Sequence, residues 1–449
     1  MGRYFGTDGF RGRANESLTA VQAFRIGRFL GAYYSRGKEG RPRIVVGKDT
    51  RLSSYMFEYA LTAGATASGA DVYLLHVTTT PSVSFVARTD AFDCGVMISA
   101  SHNPYTDNGI KLLNGTGEKM EESVLAQVED YLDGGMLPLA TGKDIGRTVD
   151  YVAGRNRYLA YLLSLPRSSF RGLRIGLDCA NGSAWAISKA VFDALGAQAY
   201  VTGASPNGEN INEGCGSTCI TRLQSLVREH SLDLGFAFDG DADRCICVDE
   251  RGEIVDGDGV LYLCAKRLRD RGELDGGGIV ATVMSNHGLL RSLEKENIAV
   301  RLTEVGDKYV YEEMVHSGYL LGGEQSGHVI FRKYATTGDG ILTALMVTEA
   351  VLESKCPLSY LTRGYAKLCQ RSGNVRVTDK RSVLADGGVL KAVAAAEELL
   401  AGGRVLLRAS GTEPVIRVLA EGEDVSACER AVTELTQALR AAERARSES

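Results

Sequence analysis

The chain has 449 residues, 44% of them hydrophobic and 24% charged, with a net charge of −5. That composition is ordinary for a soluble globular protein, and the length implies about three domains, since single cores rarely grow past ~250–300 residues. No basic block is long enough to suggest nucleic acid and no run approaches the ~20 apolar residues of a membrane span, so an anionic ligand would have to be met by local positive groups.

The first residues, "MGRYFGTDGF", lack an apolar core and do not read as a secretory signal. Gly2 invites a myristoylation reading, but position 6 is Gly where Ser or Thr is wanted. The ten cysteines are scattered without an export signal, which suggests reduced thiols in a cytoplasm. Cys215 with Cys219 and Cys245 with Cys247 do not recur as a zinc-type double pair, so a structural or incidental reading is preferred to zinc.

Along the chain, one unit recurs three times. "RIVVGKDTRLSS" leads into the amphipathic "YMFEYALTAGATASGA" and the strand-like "DVYLLH". "LRIGLDCANGSA" leads into "WAISKAVFDALGA" and "QAYV", and "GGIVATVMSN" into "HGLLRSLEKEN" and "IAVRLT". Continuous apolar strands alternating with helical spacing predict parallel βαβ units in three α/β domains. Ligands of such sheets gather beyond the carboxyl ends of the strands. The last 80 or so residues differ: strand-like "SGNVRVTD", the alanine-rich helix "GGVLKAVAAAEELLAG", two strands around a turn in "RVLLRASGTEPVIRVLAEG", and a closing helix. This predicts a smaller α+β module.

Four loops carry candidate chemistry. In "MISASHNPYTDN", Ser101 follows an apolar strand, beside His102 and with Lys111 downstream. It is either an ordinary turn serine or a nucleophile or phosphate carrier on a rigid edge. In "FDGDADR", Asp239, Asp241 and Asp243 alternate, and on an extended segment alternate side chains point the same way. Three such carboxylates repel unless a hard cation sits among them, and magnesium suits carboxylate oxygens together with a phosphate. A solvated acidic turn is the alternative, and the Gly and distal Glu of a calcium loop are missing. "GGEQSGH" places Glu324 where a backbone can approach a ligand and a carboxylate can accept from sugar hydroxyls, or where it could cap a helix. "RASGTEPVIR" offers Ser410, Gly411 and Thr412 as an anion nest flanked by Arg408 and Arg417. A serine, a metal-binding carboxylate set, a hydroxyl-reading Glu and a separate phosphate cradle together describe phosphoryl transfer on a phosphosugar.

At these loops the sequence resembles the α-D-phosphohexomutase superfamily, and within it the bacterial phosphoglucosamine branch. The likeness runs through "YFGTDGFRG", "ISASHNPYTDNGIKL", "DGDADR", "GGEQSGH", "TTGDGILTAL" and "RASGTEPVIRV"; Gln325 and the "CGST" at 215–218 point to that branch. The resemblance implies a heart-shaped, four-domain α/β architecture with the active site in a central cleft. Three related α/β domains with mixed sheets would be followed by a smaller C-terminal α+β domain. The domains would be 1–152 (phosphoserine), 153–256 (metal), 257–368 (sugar) and 369–449 (phosphate). Ser101 would be the phosphoserine and would hold Mg²⁺ with Asp239, Asp241 and Asp243. Arg11, His102, Lys111 and Arg244 would serve the transfer, with Thr7 lining the site. Glu324 and Ser326 would bind the sugar, and Arg408, Ser410, Gly411, Thr412 and Arg417 the distal phosphate.

The implied reaction interconverts glucosamine 6-phosphate and glucosamine 1-phosphate through a 1,6-bisphosphate, on the route to UDP-N-acetylglucosamine and cell-wall precursors. The implied protein is cytoplasmic, takes a small phosphosugar, uses neither nucleic acid nor membrane, and could be a homodimer. A phosphomannomutase or phosphoglucomutase of the same superfamily is the nearest alternative, and a phosphosugar phosphohydrolase the alternative of another class. Cys219, His287 and Lys308 depart from the branch's usual residues, and a lysine lacks the bidentate fork of arginine.

Overall fold

The computed structural model of the chain describes residues 2–410 and 414–447. Four sheets succeed one another. The first contains β1 (Phe5–Gly6), β2 (Gly9–Arg13), β3 (Arg43–Lys48), β4 (Asp71–Val77), β5 (Cys94–Ile98), β6 (Asp107–Asn114) and β7 (Thr148–Asp150), ordered β1-β2-β6-β5-β3-β4-β7. The second contains β8 (Arg174–Asp178), β9 (Gln198–Thr202), β10 (Leu234–Phe238), β11 (Cys245–Val248) and β12 (Ile254–Val255), ordered β12-β11-β10-β8-β9. The third, β14-β13-β15-β16, is built from β13 (Gly278–Thr282), β14 (Ala299–Thr303), β15 (Leu321–Gly323) and β16 (Val329–Phe331). The fourth, β17-β19-β18, takes β17 (Cys369–Arg376), β18 (Arg404–Ala409) and β19 (Val415–Gly422) and is wholly antiparallel.

The three expected βαβ units are present, since β3 and β4, β8 and β9, and β13 and β14 pair in parallel. Strand β5 and the middle of β3 are apolar because the sheet is covered on both faces. Ile44, Val46, Val96 and Ile98 pack with Ile26, Leu30, Phe57 and Leu61 on one face, while Val45 and Met97 meet Val83 and Val86 on the other. Period-two alternation thus sends neighbouring residues of one strand into two different cores.

In each of the first three sheets a strand of the parallel set turns back into an antiparallel neighbour. Strand β5 lies parallel to β3 and returns as β6, β10 lies parallel to β8 and returns as β11, and β15 lies parallel to β13 and returns as β16. The connections are the loops carrying Ser101, the three aspartates and Glu324. Each leaves the carboxyl end of a parallel strand, where open α/β sheets bind ligands.

By packing, the chain divides into two compact units, Met1–Met284 with Ile298–Arg363, and Ser285–Asn297 with Gly364–Ser449. In the second, Val375, Val418, Cys428 and Leu435 belong to a core of its own, between the three-stranded sheet and the helices Gly387–Leu399 and Val425–Ser447. Asn286 fastens the detached segment there, donating to Leu368 O and accepting from Leu368 N, each at 3.0 Å. The ten cysteines are free thiols, and among the described residues no helix is long and apolar enough to cross a membrane.

The serine loop's sheet is backed by the helices Ala20–Tyr34 and Leu52–Thr66, which cross at two glycines. A Cβ on Gly27 would lie 2.0 Å from Leu61 O, and one on Gly64 2.0 Å from Phe24 O. Gly64→Val should therefore push the helices apart and lower stability by roughly 1–3 kcal/mol or more, read as a lower urea midpoint.

Candidate active site

Ser101 is 1% exposed and sits three residues beyond β5, with φ at +52°. That left-handed conformation is costly for a residue other than glycine, so the surroundings must hold it. Arg51, wholly buried, does so: Nη2 donates to Ser101 O (2.8 Å) and Asn103 O (2.9 Å), and Nη1 donates to Asp107 O (3.1 Å) and to Pro104 O. Its Nε is paired with Asp49 Oδ2 at 2.7 Å. Asp49 also accepts from Ser99 Oγ, which in turn accepts from Ser101 N at 2.9 Å. Ser101 Oγ is thereby aimed at Asp239, donating to Oδ2 at 2.5 Å.

The aspartates converge, though not as the spacing suggested. Residues 239–243 form a turn between β10 and β11 rather than an extended segment, with Ala242 at φ +57°. It is this turn that brings ligand atoms of Asp239, Asp241 and Asp243 within 4.8 Å of one another, all three residues buried. Lys111 Nζ bonds Asp241 Oδ2 (2.8 Å) and Asp243 Oδ2 (3.0 Å) and lies 3.2 Å from Asp8 Oδ2. Thr80 Oγ1 donates to Asp241 Oδ2 at 2.5 Å. Asp241 Oδ1 and Asp243 Oδ1 are buried with no hydrogen-bond partner. Burial, with Asp243 and Asp241 adding to it, pushes the Asp239 carboxyl well above its usual range. Orphaned carboxylate oxygens in a cluster of excess negative charge are what a hard divalent cation takes as ligands, so these residues fit a metal.

Around the cluster lie Arg244 and His102. Arg244 N donates to Asp239 Oδ1 at 3.2 Å, and its Nη1 is 3.3 Å from His102 Nδ1, as is Ser101 Oγ. Burial, then the positive charge of Arg244 and Arg11, lowers His102 to about 4, leaving a neutral ring whose Nδ1 can accept from either donor. Arg11 pairs with Asp8.

His328, 3% exposed, extends the network, with Nδ1 3.7 Å from Asp243 Oδ1 and Nε2 3.4 Å from Asp307 Oδ2. Burial opposes its charge, but Asp307 and Asp243 outweigh it and raise the ring to about 9. Gly338 N–H also points at Nε2 (3.0 Å), a contact only the neutral ring accepts, so amide and carboxylates pull His328 in opposite directions. Asp307 pairs with Lys119 at 2.5 Å, and Lys119 Nζ donates to Thr7 O at 2.7 Å and lies 3.4 Å from Asp8 Oδ1. A cavity of about 340 Å³ opens beside these groups, lined by Thr7, Asp8, Lys111, Lys119, Asp243 and Asp307, within the ~300–1,000 Å³ usual for small-molecule sites.

Glu324 Oε1 accepts from Gly306 N at 3.1 Å, at the start of the helix Asp307–Ser317, and Ser326 Oγ is 3.4 Å from Oε2. The capping alternative for Glu324 is thus realised in part. Lys308 is engaged with Glu122. In the C-terminal unit, Arg408 and Arg417 stand directly opposite on β18 and β19. Like charges directly opposite each other repel, and the pair puts two guanidinium groups on one face of the sheet. Ser410 N donates to Val415 O (2.9 Å), and Ser410 O accepts from Lys380 Nζ (2.6 Å). Gly411 and Thr412 lie outside the described residues.

Sequence reasoning did not single out Asp8, Arg51, Lys119, Asp307 or His328. Asp8 and His328 stand inside motifs already of interest, "GTDGF" and "GGEQSGH", and Asp307 inside "VGDKYV". Lys119 lies in a surface-like "GTGEKM" with no local signal.

Models of the phosphoglucomutase/phosphomannomutase family match alpha/beta/alpha domain I at residues 2–137, domain II at 156–252, domain III at 256–368 and the C-terminal domain at 374–438. The phosphoglucosamine mutase of Lachnospira eligens is 58% identical over 98% of this chain and 99% of its own. The chain belongs to the phosphoglucosamine mutases, isomerases of the α-D-phosphohexomutase superfamily. The Lachnoclostridium phytofermentans enzyme of the same name is 54% identical over 98% of both chains. Among solved structures, a phosphoglucomutase/phosphomannomutase family protein from Burkholderia thailandensis superposes with TM-score 0.79 at 24% identity, covering 98% of each chain. Aspergillus fumigatus N-acetylphosphoglucosamine mutase, in complex with GlcNAc-6P and magnesium, gives TM-score 0.71 at 17% identity over 98% of this chain and 96% of that one.

If the aspartate turn holds a divalent cation, Asp241→Asn should weaken Mg²⁺ or Mn²⁺ binding by about tenfold or more, because a neutral amide is a poor ligand for a hard cation. Calorimetric titration of the metal into wild-type and variant protein measures this directly.

Proposed function

We propose that the chain interconverts glucosamine 6-phosphate and glucosamine 1-phosphate, with Ser101 as phosphoryl carrier and Mg²⁺ as its metal. The observation that carries the reading is Ser101 Oγ, buried and 2.5 Å from Asp239 in a three-aspartate cluster. Asp239, Asp241, Asp243 and the Ser101 phosphate would hold Mg²⁺, which when bound supplies charge neutralisation to the loose transition state. Lys111, held by Asp241 and Asp243, and Arg244, whose guanidinium lies against His102, add fixed positive charge at the same place. Neutral His102 accepts a hydrogen bond from Arg244 or Ser101 without adding a competing cation.

The phosphoryl group passes from Ser101 Oγ to the free hydroxyl of the sugar, giving a 1,6-bisphosphate and a serine hydroxyl. After the intermediate turns over, its other phosphate returns to Ser101. A turn that exchanges C1 with C6 also exchanges O3 with O4, so Glu324 and Ser326 can read both orientations. Arg408, Ser410, Gly411, Thr412 and Arg417 would cradle the phosphate that is not moving, and the facing pair Arg408 and Arg417 supports an anion there. A second cradle is more than a hydrolase needs. In this reading the enzyme works in the cytoplasm as a homodimer, upstream of UDP-N-acetylglucosamine and cell-wall precursors.

Ser101→Ala should lower mutase turnover by about a thousandfold or more while leaving the unfolding midpoint near wild type. Intact-mass measurement should find an added phosphate on wild-type protein and none on the variant; full activity in the variant would refute the serine mechanism.

Offered glucosamine, glucose and mannose 6-phosphates, the enzyme should show its highest kcat/KM with glucosamine and its lowest with mannose. O3 and O4 are common to all three, so discrimination arises at C2, where a site built for a polar group rejects its absence more strongly than the ~1–3 kcal/mol of a merely roomy pocket. A preference for mannose 6-phosphate, measured in the same assay, would overturn the substrate assignment.

A further inference from the structure

Two side chains from different domains converge on the same two carbonyl oxygens. Arg51 Nη2 donates to Ser101 O and Asn103 O at 2.8 and 2.9 Å, and Asn212 Nδ2 donates to the same atoms at 2.9 and 3.0 Å. Arg51 follows β3 in the serine-bearing sheet, whereas Asn212 belongs to the segment after β9, in the domain that carries the aspartates. Asn212 has φ +62°, a conformation asparagine tolerates better than most residues, and its own N–H donates to Ala180 O at 2.8 Å. Gly240, between Asp239 and Asp241, closes on the same place: a Cβ there would lie 2.5 Å from Ser101 O and 3.3 Å from Asn212 Nδ2. The Ser101 carbonyl is therefore the joint at which the serine loop meets the aspartate loop.

We propose that Asn212 is a positioning residue for phosphoryl transfer, tying the Ser101–Asn103 turn to the metal-bearing domain so that Ser101 Oγ keeps its place against Asp239. The proposal rests on the phosphoserine reading above. Arg51 acts from within the serine domain and sets the shape of the turn; Asn212 reaches across the domain boundary and sets its distance from the aspartates. During the reaction Ser101 alternates between a neutral hydroxyl and an anionic phosphate. A tie from a neutral amide to backbone carbonyls does not depend on that charge, so it holds the turn equally in both states. The reacting oxygen tolerates little displacement, since misplacement by ~1 Å can cost about a hundredfold in rate.

Two variants test this. Asn212→Gly keeps the left-handed backbone and deletes the amide; Asn212→Asp keeps the shape but turns an acceptor toward two carbonyls. Both should lower kcat by about tenfold or more, with KM for glucosamine 6-phosphate within about twofold of wild type. The phosphorylated variants, prepared with a hexose 1,6-bisphosphate and followed by intact mass, should also lose phosphate to water at a rate different from wild type. Wild-type kcat and phosphoserine lifetime in both variants would overturn the proposal. So would a loss of activity fully accounted for by unfolded protein in thermal melts, with normal kcat per folded molecule. A wild-type enzyme that never carries phosphate would instead overturn the phosphoserine reading, so the two failures are distinguishable.

Discussion

The site depends on how buried negative charge is balanced. Asp239 and Asp241 are wholly buried and Asp243 nearly so, within a few ångströms of each other, and isolated carboxylates cannot remain ionised in such surroundings. The protein answers with a closed chain of contacts. Lys111 joins Asp243 to Asp8, Lys119 joins Asp8 to Asp307, and His328 lies between Asp307 and Asp243. Three carboxylates alternate with two ammonium groups and an imidazole. Asp239 stands outside the chain, accepting from the Ser101 hydroxyl and the Arg244 amide, and burial with its neighbouring aspartates pushes its carboxyl well above the usual range.

Because that chain draws on three sheets, it also joins them. Asp8 and Lys111 come from the first sheet and its loops, Asp243 from the second, and Asp307 and His328 from the third. Surface ion pairs contribute little, but removing one partner of a buried set leaves an uncompensated charge, which is costly. The groups that bring positive charge to the aspartate cluster therefore also fix the loops around it, so the geometry of the candidate site and the packing of these domains are one constraint.

The loops are placed by a repeated device. A parallel strand ends, the chain makes a short connection, and it returns antiparallel beside the strand it left. Both ends of the connection are pinned in the sheet, which limits how far a side chain on it can wander. Within the serine loop the pinning is completed by Arg51, whose buried guanidinium is spent on the four carbonyls at 101, 103, 104 and 107 and on Asp49. Lysine could not substitute, because one ammonium cannot spread donors across that fork.

The sequence by itself determined the local structure: apolar runs of β-branched residues made the parallel strands, helical spacing made the segments between them, and the four loops stood out by composition. Ser101, the aspartate triplet, Glu324 and the two arginines of "RASGTEPVIR" stood out as candidates because each lies in a short loop of distinctive composition. What the sequence did not contain was the means of convergence. The aspartates meet through a turn with Ala242 in a left-handed conformation, not through strand alternation, and no local pattern distinguished the two. Lys119 reads as a surface lysine, and only the approach of Thr7, Asp8 and Asp307 makes it part of a charge network. Arg51 and Asn212 are 161 positions apart, and only the folded chain brings them onto the same two carbonyls. Periodicity reports which face of an element is buried, whereas the partner of a buried charge is set by packing between distant segments, and that is decided only in three dimensions.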